Sequence, residues 1–207
     1  MKLYYSPTSP YARKVAIVAI ETGHDAIIER VTAAPHPIDR DAGVVEQNPL
    51  GKVPTLVADG ELTLFDSRVI AEYLDAHTRR GRVFPADGPA RWTALTQQSL
   101  GDGLLDAALL VRYELTSRPP EHRWVLWQER QFDKIRSALA RIDEWSGGLG
   151  TELTIGTITL ACALGYLDLR FPEYDWRAGH PGAASWFAAI SVHPSLTATR
   201  APQPLAA

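Results

Sequence analysis

Ser9-Pro10-Tyr11 follows a short apolar run, Leu3-Tyr4-Tyr5, and precedes Ala12-Arg13-Lys14-Val15-Ala16-Ile17-Val18, which reads as a helix. Serine is a preferred helix N-cap because its oxygen accepts from an otherwise unpaired amide. Proline suits the first turn, where its missing N–H would be an orphan anyway. Ser9 is therefore expected where a strand turns into a helix whose positive end faces outward. A thiol brought there meets a hydroxyl donor and a favourable helix field, and both stabilise a thiolate. Taken alone, Ser9 is also a plain cap. Two further segments add what a thiol-bearing ligand needs. In Asn48-Pro49-Leu50-Gly51-Lys52-Val53-Pro54-Thr55-Leu56, Pro54 enters a strand at a point where it cannot donate to a ladder. A cis bond there would leave the Val53 N–H and C=O to pair with an extended peptide, as an added strand does. Asp66-Ser67 opens another helix, with Ser67 as its expected cap. The Ser67 hydroxyl and the helix amides suit a carboxylate, and Asp66 beside them suits an ammonium. A peptide with a free α-amino acid head and a central cysteine fits all three segments, its sulfur near Ser9.

The elements that must position these residues are readable. Residues 2–5 form a short strand and residues 13–22 a helix closed by Gly23. Residues 27–31 carry strand-like side chains. Residues 32–48 are polar or small and hold Pro35 and Pro37, which makes them a loop with room for a short helix. Thr55-Leu56-Val57-Ala58 and Leu62-Thr63-Leu64-Phe65 flank Asp59-Gly60, the strongest short hairpin signal. Residues 68–74 have helical apolar spacing behind Ser67. Glycine, proline and charge in Thr78-Arg79-Arg80-Gly81-Arg82-Val83-Phe84-Pro85 mark a linker. Beyond Pro89 the periodicity is helical. Residues 91–114 form a long apolar-striped helix weakened by Gly101 and Gly103, and residues 121–145 a second, ended by Gly147-Gly148. Residues 157–169, apolar on all sides, form a buried helix. Residues 183–191 form a last short one, and a loose tail starts at Ala201. The expected domains are 1–78, α/β and ligand-binding; 79–89, linker; and 90–207, all-α.

A chain of 207 residues with 45% apolar content is long enough for one large or two small domains and can build a core. Its net charge of −3 offers no attraction to nucleic acid. No apolar run approaches a membrane span, and the N-terminus lacks the basic-then-apolar plan of a signal peptide. A cytoplasmic protein is expected. The single cysteine, Cys162, excludes an intramolecular disulfide and, within Leu160-Ala161-Cys162-Ala163-Leu164, reads as a buried thiol. The histidines, among them His36, His77, His122, His180 and His193, lack ligand spacing, so no metal site is expected. No glycine-rich phosphate loop is present. Trp92, Trp124, Trp127, Trp145, Trp176 and Trp186 all lie in the second half and read as core and interface side chains.

Glutathione is a peptide of the required kind. With these segments in this order, the first half resembles the thioredoxin-like domain of glutathione S-transferases, and the second half is similar to their all-helical domain. Ser9-Pro10-Tyr11 resembles the Ser-Pro-Phe of the plant tau class and the Cys-Pro-Phe of the omega class. Residues 48–54 match the segment leading into the family's cis-proline, and Asp66-Ser67 its acidic residue–serine pair. The chain as a whole most resembles small bacterial transferase-like proteins with an Asn-Pro-Leu-Gly-Lys-Val-Pro segment and an Ala-Cys-Ala-Leu-Gly-Tyr-Leu helix. The resemblance implies roles. Ser9 donates to the glutathione sulfur, with Tyr5, Ser6 and Thr8 as alternatives, since the alpha, mu and pi classes use a tyrosine at the end of the first strand. Val53 pairs its backbone with the cysteinyl residue, Pro54 is cis, and Asp66 and Ser67 hold the γ-glutamyl end. Lys52 meets the glycyl carboxylate. Arg112 and Tyr113 lie in the region that lines the electrophile pocket. In a homodimer, Asp102 or Asp106 reaches the γ-glutamyl amine of the partner subunit's ligand. The implied activity is glutathione transfer to a small electrophile, with no metal. Peroxidase or dehalogenase chemistry on the same thiolate, or a non-catalytic binding scaffold, are the alternatives.

Two positions depart from the family pattern. Ser9 stands where omega-like and beta-like members have cysteine, and serine cannot form the mixed disulfide that thiol–disulfide exchange uses. Thr154-Ile155-Gly156-Thr157 occupies the place of the family's helix-capping box, which usually has aspartate where Thr157 stands. Threonine accepts only a neutral bond and Gly156 weakens the first turn, so this cap is expected to be weak. On that expectation Thr157→Asp adds about 0.5–1 kcal/mol of stability.

Overall fold

Residues 1–202 are described in a computed structural model; of the tail expected from Ala201, residues 203–207 lie outside the described residues. Contacts divide the chain into two units, Met1–Ala86 together with the segment from Pro194, and Asp87–His193. Residues 194–202 thus belong with the first unit, whereas the expected range of 90–207 assigned them to the second.

In the first unit, β1 (Lys2–Tyr5), β2 (Glu29–Thr32), β3 (Thr55–Val57) and β4 (Thr63–Leu64) form one sheet in the order β2-β1-β3-β4. β1 is parallel to β2, with Tyr5 opposite Thr32. β3 is antiparallel to both neighbours, with Thr55 opposite Tyr4 and Val57 opposite Thr63. The helices α1 (Pro10–Glu21) and α3 (Ser67–Ala76) bring Val15, Ile17, Val18, Ile70, Ala71 and Leu74 into a core shared with Leu3 and Leu56 of the sheet. A short helix, α2 (Ala42–Gln47), is capped by Asp41, whose Oδ1 accepts from the Val44 amide at 3.2 Å. β2 starts two residues later than expected because Asp25–Ile27 forms a 3₁₀ turn. The expected two-residue hairpin opens into a longer loop, closed by the Ala58 amide donating to the Leu62 carbonyl at 2.8 Å. Only Gly60 in that loop takes a left-handed conformation, at φ +77°, so a turn that needs positive φ at both central residues does not form.

The second unit holds α4 (Gly88–Thr116), α5 (Val125–Trp145), α6 (Ile155–Arg170) and α7 (Pro181–Ile190). The last helix, α8 (Pro194–Ala198), belongs to the first unit, where the Arg13 Nη2 donates to the Leu196 carbonyl at 3.0 Å. Glycine permits the close approach of α4 and α6. A Cβ on Gly101 would stand 2.9 Å from Thr159 Cγ2, and one on Gly156 would stand 2.7 Å from Gln97 Cβ and 2.8 Å from the Ala94 carbonyl oxygen. The second long helix starts at Val125, not at 121. Pro120–His122 forms a 3₁₀ turn and Arg123 and Trp124 are extended; the Trp124 amide donates to Glu114 Oε1 at 2.8 Å and Arg118 Nε donates to Glu114 Oε2 at 2.7 Å. These bonds, the amide's first, hold the Glu114 carboxyl below its ordinary range. Trp176 and Trp186 are buried, but Trp92 and Trp124 are exposed.

The capping box at α6 is not weak. Thr154 Oγ1 accepts from the Thr157 amide at 3.2 Å, and Thr157 Oγ1 accepts from the Thr154 amide at 2.9 Å. The Thr157 hydroxyl also donates to the Glu152 carbonyl at 2.8 Å, and the residue is 3% exposed. An aspartate would place a carboxylate against that carbonyl with no proton to donate. Thr157→Asp is therefore expected to lower stability by about 1–3 kcal/mol, the scale of a buried group left unsatisfied, and a higher melting temperature for this variant would contradict the assignment.

Candidate functional site

The three segments singled out in the sequence meet at one end of the first unit's sheet. β1 runs toward that end and passes through Ser6–Thr8 into α1. β3, antiparallel, begins there just after Val53-Pro54. β4, antiparallel to β3, finishes there and leads into Asp66-Ser67. The outer two of these strands lie two strand spacings apart, roughly 10 Å, which is close to the span of an extended tripeptide. Both α1 and α3 start at this end, so two helix N-termini bring their positive poles to it.

Ser9 is the N-cap of α1: its Oγ accepts from the Ala12 amide at 3.2 Å. Its hydroxyl proton has no acceptor among the described residues. Ser9 is partly exposed, so that proton is available to a ligand. Ser6 Oγ and Thr8 Oγ1 lie 3.4 Å apart and hydrogen-bond to each other. Tyr5 is the last residue of β1, and its carbonyl accepts from the Ala33 amide at 2.9 Å.

The Val53–Pro54 bond is cis, and the ladder begins only at Thr55, so the Val53 backbone takes no part in it. Asn48, a residue to which no role was assigned in advance, holds this stretch. It is 1% exposed; its Nδ2 donates to the Lys52 carbonyl at 3.1 Å and to Thr55 Oγ1 at 3.0 Å, and its Oδ1 accepts from the Leu50 amide at 3.0 Å. Thr55 Oγ1 in turn donates to the Lys52 carbonyl at 2.8 Å. The Lys52 side chain is exposed.

At α3 the cap is Asp66, not Ser67. Asp66 Oδ1 accepts from the Arg68 amide at 2.8 Å, and Ser67 is the first helical residue. A carboxylate one position earlier reaches the second amide of the helix and satisfies it at least as well as a hydroxyl. Ser67 is 2% exposed, and its hydroxyl makes no hydrogen bond among the described residues. Asp66 Oδ2 lies 3.4 Å from Arg68 Nη2. An ammonium at Asp66 thus shares that carboxylate with a guanidinium, which sequence reading did not foresee.

In the second unit, Arg112 and Tyr113 are partly exposed near the end of α4, Asp102 is buried and Asp106 is exposed. Cys162 is buried. No helix among the described residues is long and apolar enough to cross a membrane. Among those residues no three His, Cys, Asp or Glu side chains gather as a metal ion needs.

The family description for the glutathione S-transferase N-terminal domain matches residues 8–77, and that for the C-terminal domain matches residues 126–189. The chain is 34% identical over 184 residues to the uncharacterized GST-like protein YibF of Escherichia coli, covering 87% of this chain and 89% of that protein. This chain belongs to the glutathione S-transferase family. Its fold is that of the transferases, a small mixed four-stranded domain followed by a helical one. The crystal structure of a glutathione transferase family member from Pseudomonas fluorescens Pf-5 with bound glutathione is 45% identical, covers 97% of this chain and 98% of its own, and superposes with a TM-score of 0.94. A stringent starvation protein A homolog of Haemophilus ducreyi is 40% identical over 186 residues, covering 88% of this chain and 76% of that protein.

Proposed function

We propose that this transferase-family protein binds glutathione at the sheet end of its first unit and transfers it to a small electrophile. The reading is carried by one observation: the Val53 backbone and the N-termini of two helices, capped by Ser9 and Asp66, gather at the same end of the sheet. Val53 pairs with the cysteinyl residue as an added strand pairs. Ser67 and the first amides of α3 take the γ-glutamyl carboxylate, Asp66 takes its ammonium, and Lys52 the glycyl carboxylate. The thiol loses its proton to water. The Ser9 hydroxyl donates to the sulfur, and the helix field adds to this donor in holding the thiolate. The thiolate attacks an electrophilic carbon; the C–S bond forms as the bond to the leaving group breaks, and that group departs with the electron pair. Activation of the nucleophile and proximity supply the rate. Arg112 and Tyr113 line the electrophile's place. Glutathione in the Pseudomonas fluorescens family member supports the choice of thiol.

Ser67→Ala tests the binding half. Losing a hydrogen bond to a charged group is worth about 1.5–3 kcal/mol, so calorimetry should read glutathione affinity roughly 10–150-fold weaker. Equal affinity would remove Ser67 from the site. A homodimer is part of the proposal. α4 exposes Trp92, Leu110 and Leu115, apolar side chains that a self-complementary two-fold interface would cover. Sedimentation at micromolar concentration should show the dimer mass, and a monomer there would refute it.

The Haemophilus ducreyi relative, whose name denotes no enzymatic activity, favours a second reading, a glutathione-binding protein without turnover. Glutathione bound, but no product from a panel of electrophiles that includes peroxides, would select it.

A further inference from the structure

The second unit holds a cluster of four polar side chains with no carboxylate among them. Arg112 and Tyr113 are consecutive on α4; Tyr166 and Arg170 are one turn apart on α6, which packs against α4. α4 and α6 lie side by side, Gly156 against Ala94 and Gly101 against Thr159, and along them Arg112 acts electrostatically on Arg170, Tyr166 and Tyr113. Two guanidiniums therefore share one neighbourhood. Several other arginines of this unit have acidic partners: Arg118 has Glu114, Arg136 has Asp133 and Arg177 has Asp168. The charges that act on Arg170 are Arg112 and the Tyr166 phenol. The Arg170 Nε is buried and has no hydrogen-bond partner among the described residues. A buried donor left unpaired is destabilising, and so is one cation beside another. Native structures keep few such groups, and a bound ion or ligand is one of the reasons they are kept.

Each member suits an anion. An arginine fork matches the two oxygens of a carboxylate. Burial raises the Tyr166 and Tyr113 phenols, so both keep their protons and remain able to donate. Burial first, and Arg112 second, disfavour the charge on Arg170; a bound carboxylate would offset both. Tyr166 is 4% exposed and forms the floor, while Arg112, Tyr113 and Arg170 are partly exposed and leave a way in.

We propose that Arg112 and Arg170, with the hydroxyls of Tyr113 and Tyr166, form a carboxylate subsite, so that the electrophile this protein consumes is a carboxylic acid. The substrate class rests on the transferase reading above, but the subsite itself does not. Two aryl chlorides of nearly equal size test it, 4-chloro-3-nitrobenzoate and 4-chloro-3-nitrobenzamide. In either, the glutathione sulfur bonds to the ring carbon that carries chlorine, and chloride leaves with the bonding pair. The readout is the ratio of kcat/KM for benzoate over benzamide, divided by the same ratio for the uncatalysed reaction. It should exceed about 10 in the parent, and Arg170→Met should lower it roughly 10–100-fold. Arg112→Met should do the same, which keeps the test open if Arg170→Met does not fold. Arg170→Lys, which keeps the charge and loses the fork, should recover part of the ratio. A ratio near one in the parent, or one that neither arginine substitution moves, overturns the subsite.

Calorimetry with 4-chloro-3-nitrobenzoate alone separates the two readings. Binding that the arginine substitutions abolish, with no turnover of either chloride, keeps the subsite and removes the transferase. Turnover of the benzamide with no benzoate binding does the reverse.

Discussion

Ser9→Ala is expected to raise the thiol pKa of bound glutathione and to cut turnover with a reactive aryl halide by roughly 10–1000-fold, the scale for losing one preorganised donor. The hydroxyl proton of Ser9 has no acceptor among the described residues, while its oxygen is already occupied by the Ala12 amide. The residue can therefore give a hydrogen bond to sulfur without surrendering its cap. Alanine removes both, and the lost cap costs about 1 kcal/mol of stability, so turnover is compared at a temperature where the variant is folded. Glutathione affinity should change little, because in the proposed site Val53 and Ser67 hold the peptide elsewhere. Ser9→Cys should instead form a mixed disulfide and shift activity toward thiol transfer. Tyr5→Phe is the control. The thiolate's ultraviolet absorbance, titrated against pH in the parent and both deletion variants, gives the answer. Loss of the thiolate in Tyr5→Phe but not in Ser9→Ala would move the sulfur partner to the tyrosine. If neither substitution matters, the helix field and amides suffice, or the protein binds glutathione without turnover.

Gly156→Ala should destabilise the second unit, although alanine is the better helix former by about 1 kcal/mol. The new methyl would stand 2.8 Å from the Ala94 carbonyl oxygen. That atom belongs to the α4 backbone and cannot turn aside as the end of the Gln97 side chain can. Overpacking of this kind costs roughly 1–3 kcal/mol, or a Tm lower by about 2–12 °C. Gly103→Ala gives the contrast. A Cβ there meets nothing within 4 Å, so only the helix preference remains and Tm should rise. If both substitutions stabilise, α4 and α6 do not approach as closely as described.

Local chemistry made much of the first unit legible. A serine before a proline at the start of an apolar helix is a cap whatever surrounds it, and Ser9 is one. Choices between neighbouring groups were not legible. Asp66 and Ser67 are both good caps, and only the backbone path at α3 decides that the carboxylate reaches the amide. Asn48 offered one signal, an asparagine ahead of a proline–leucine–glycine turn, but its bonds to Lys52 and Thr55 depend on where β3 begins. Gly101 and Gly156 read as helix weakeners because propensity counts entropy and knows nothing of the helix opposite. The switch from alternating to helical periodicity separated a strand-bearing half from a helical one, and the resemblance to the transferases supplied the fold class. Tyr166 and Arg170 were invisible as a site, since their partners on α4 lie far away in sequence and only packing unites them.

The bond from Arg13 to the Leu196 carbonyl sets an order of events during synthesis. α1 is made before Asp87–His193, and α8, which joins it in the same unit, is made only after all of that segment. At about 5–20 residues per second, the earlier part of that unit waits several seconds for its last piece. During that interval the Arg13 side of α1 is uncovered. The nascent chain must therefore stay soluble with this face open, and the unit that holds the proposed glutathione site closes only after Asp87–His193 has been made.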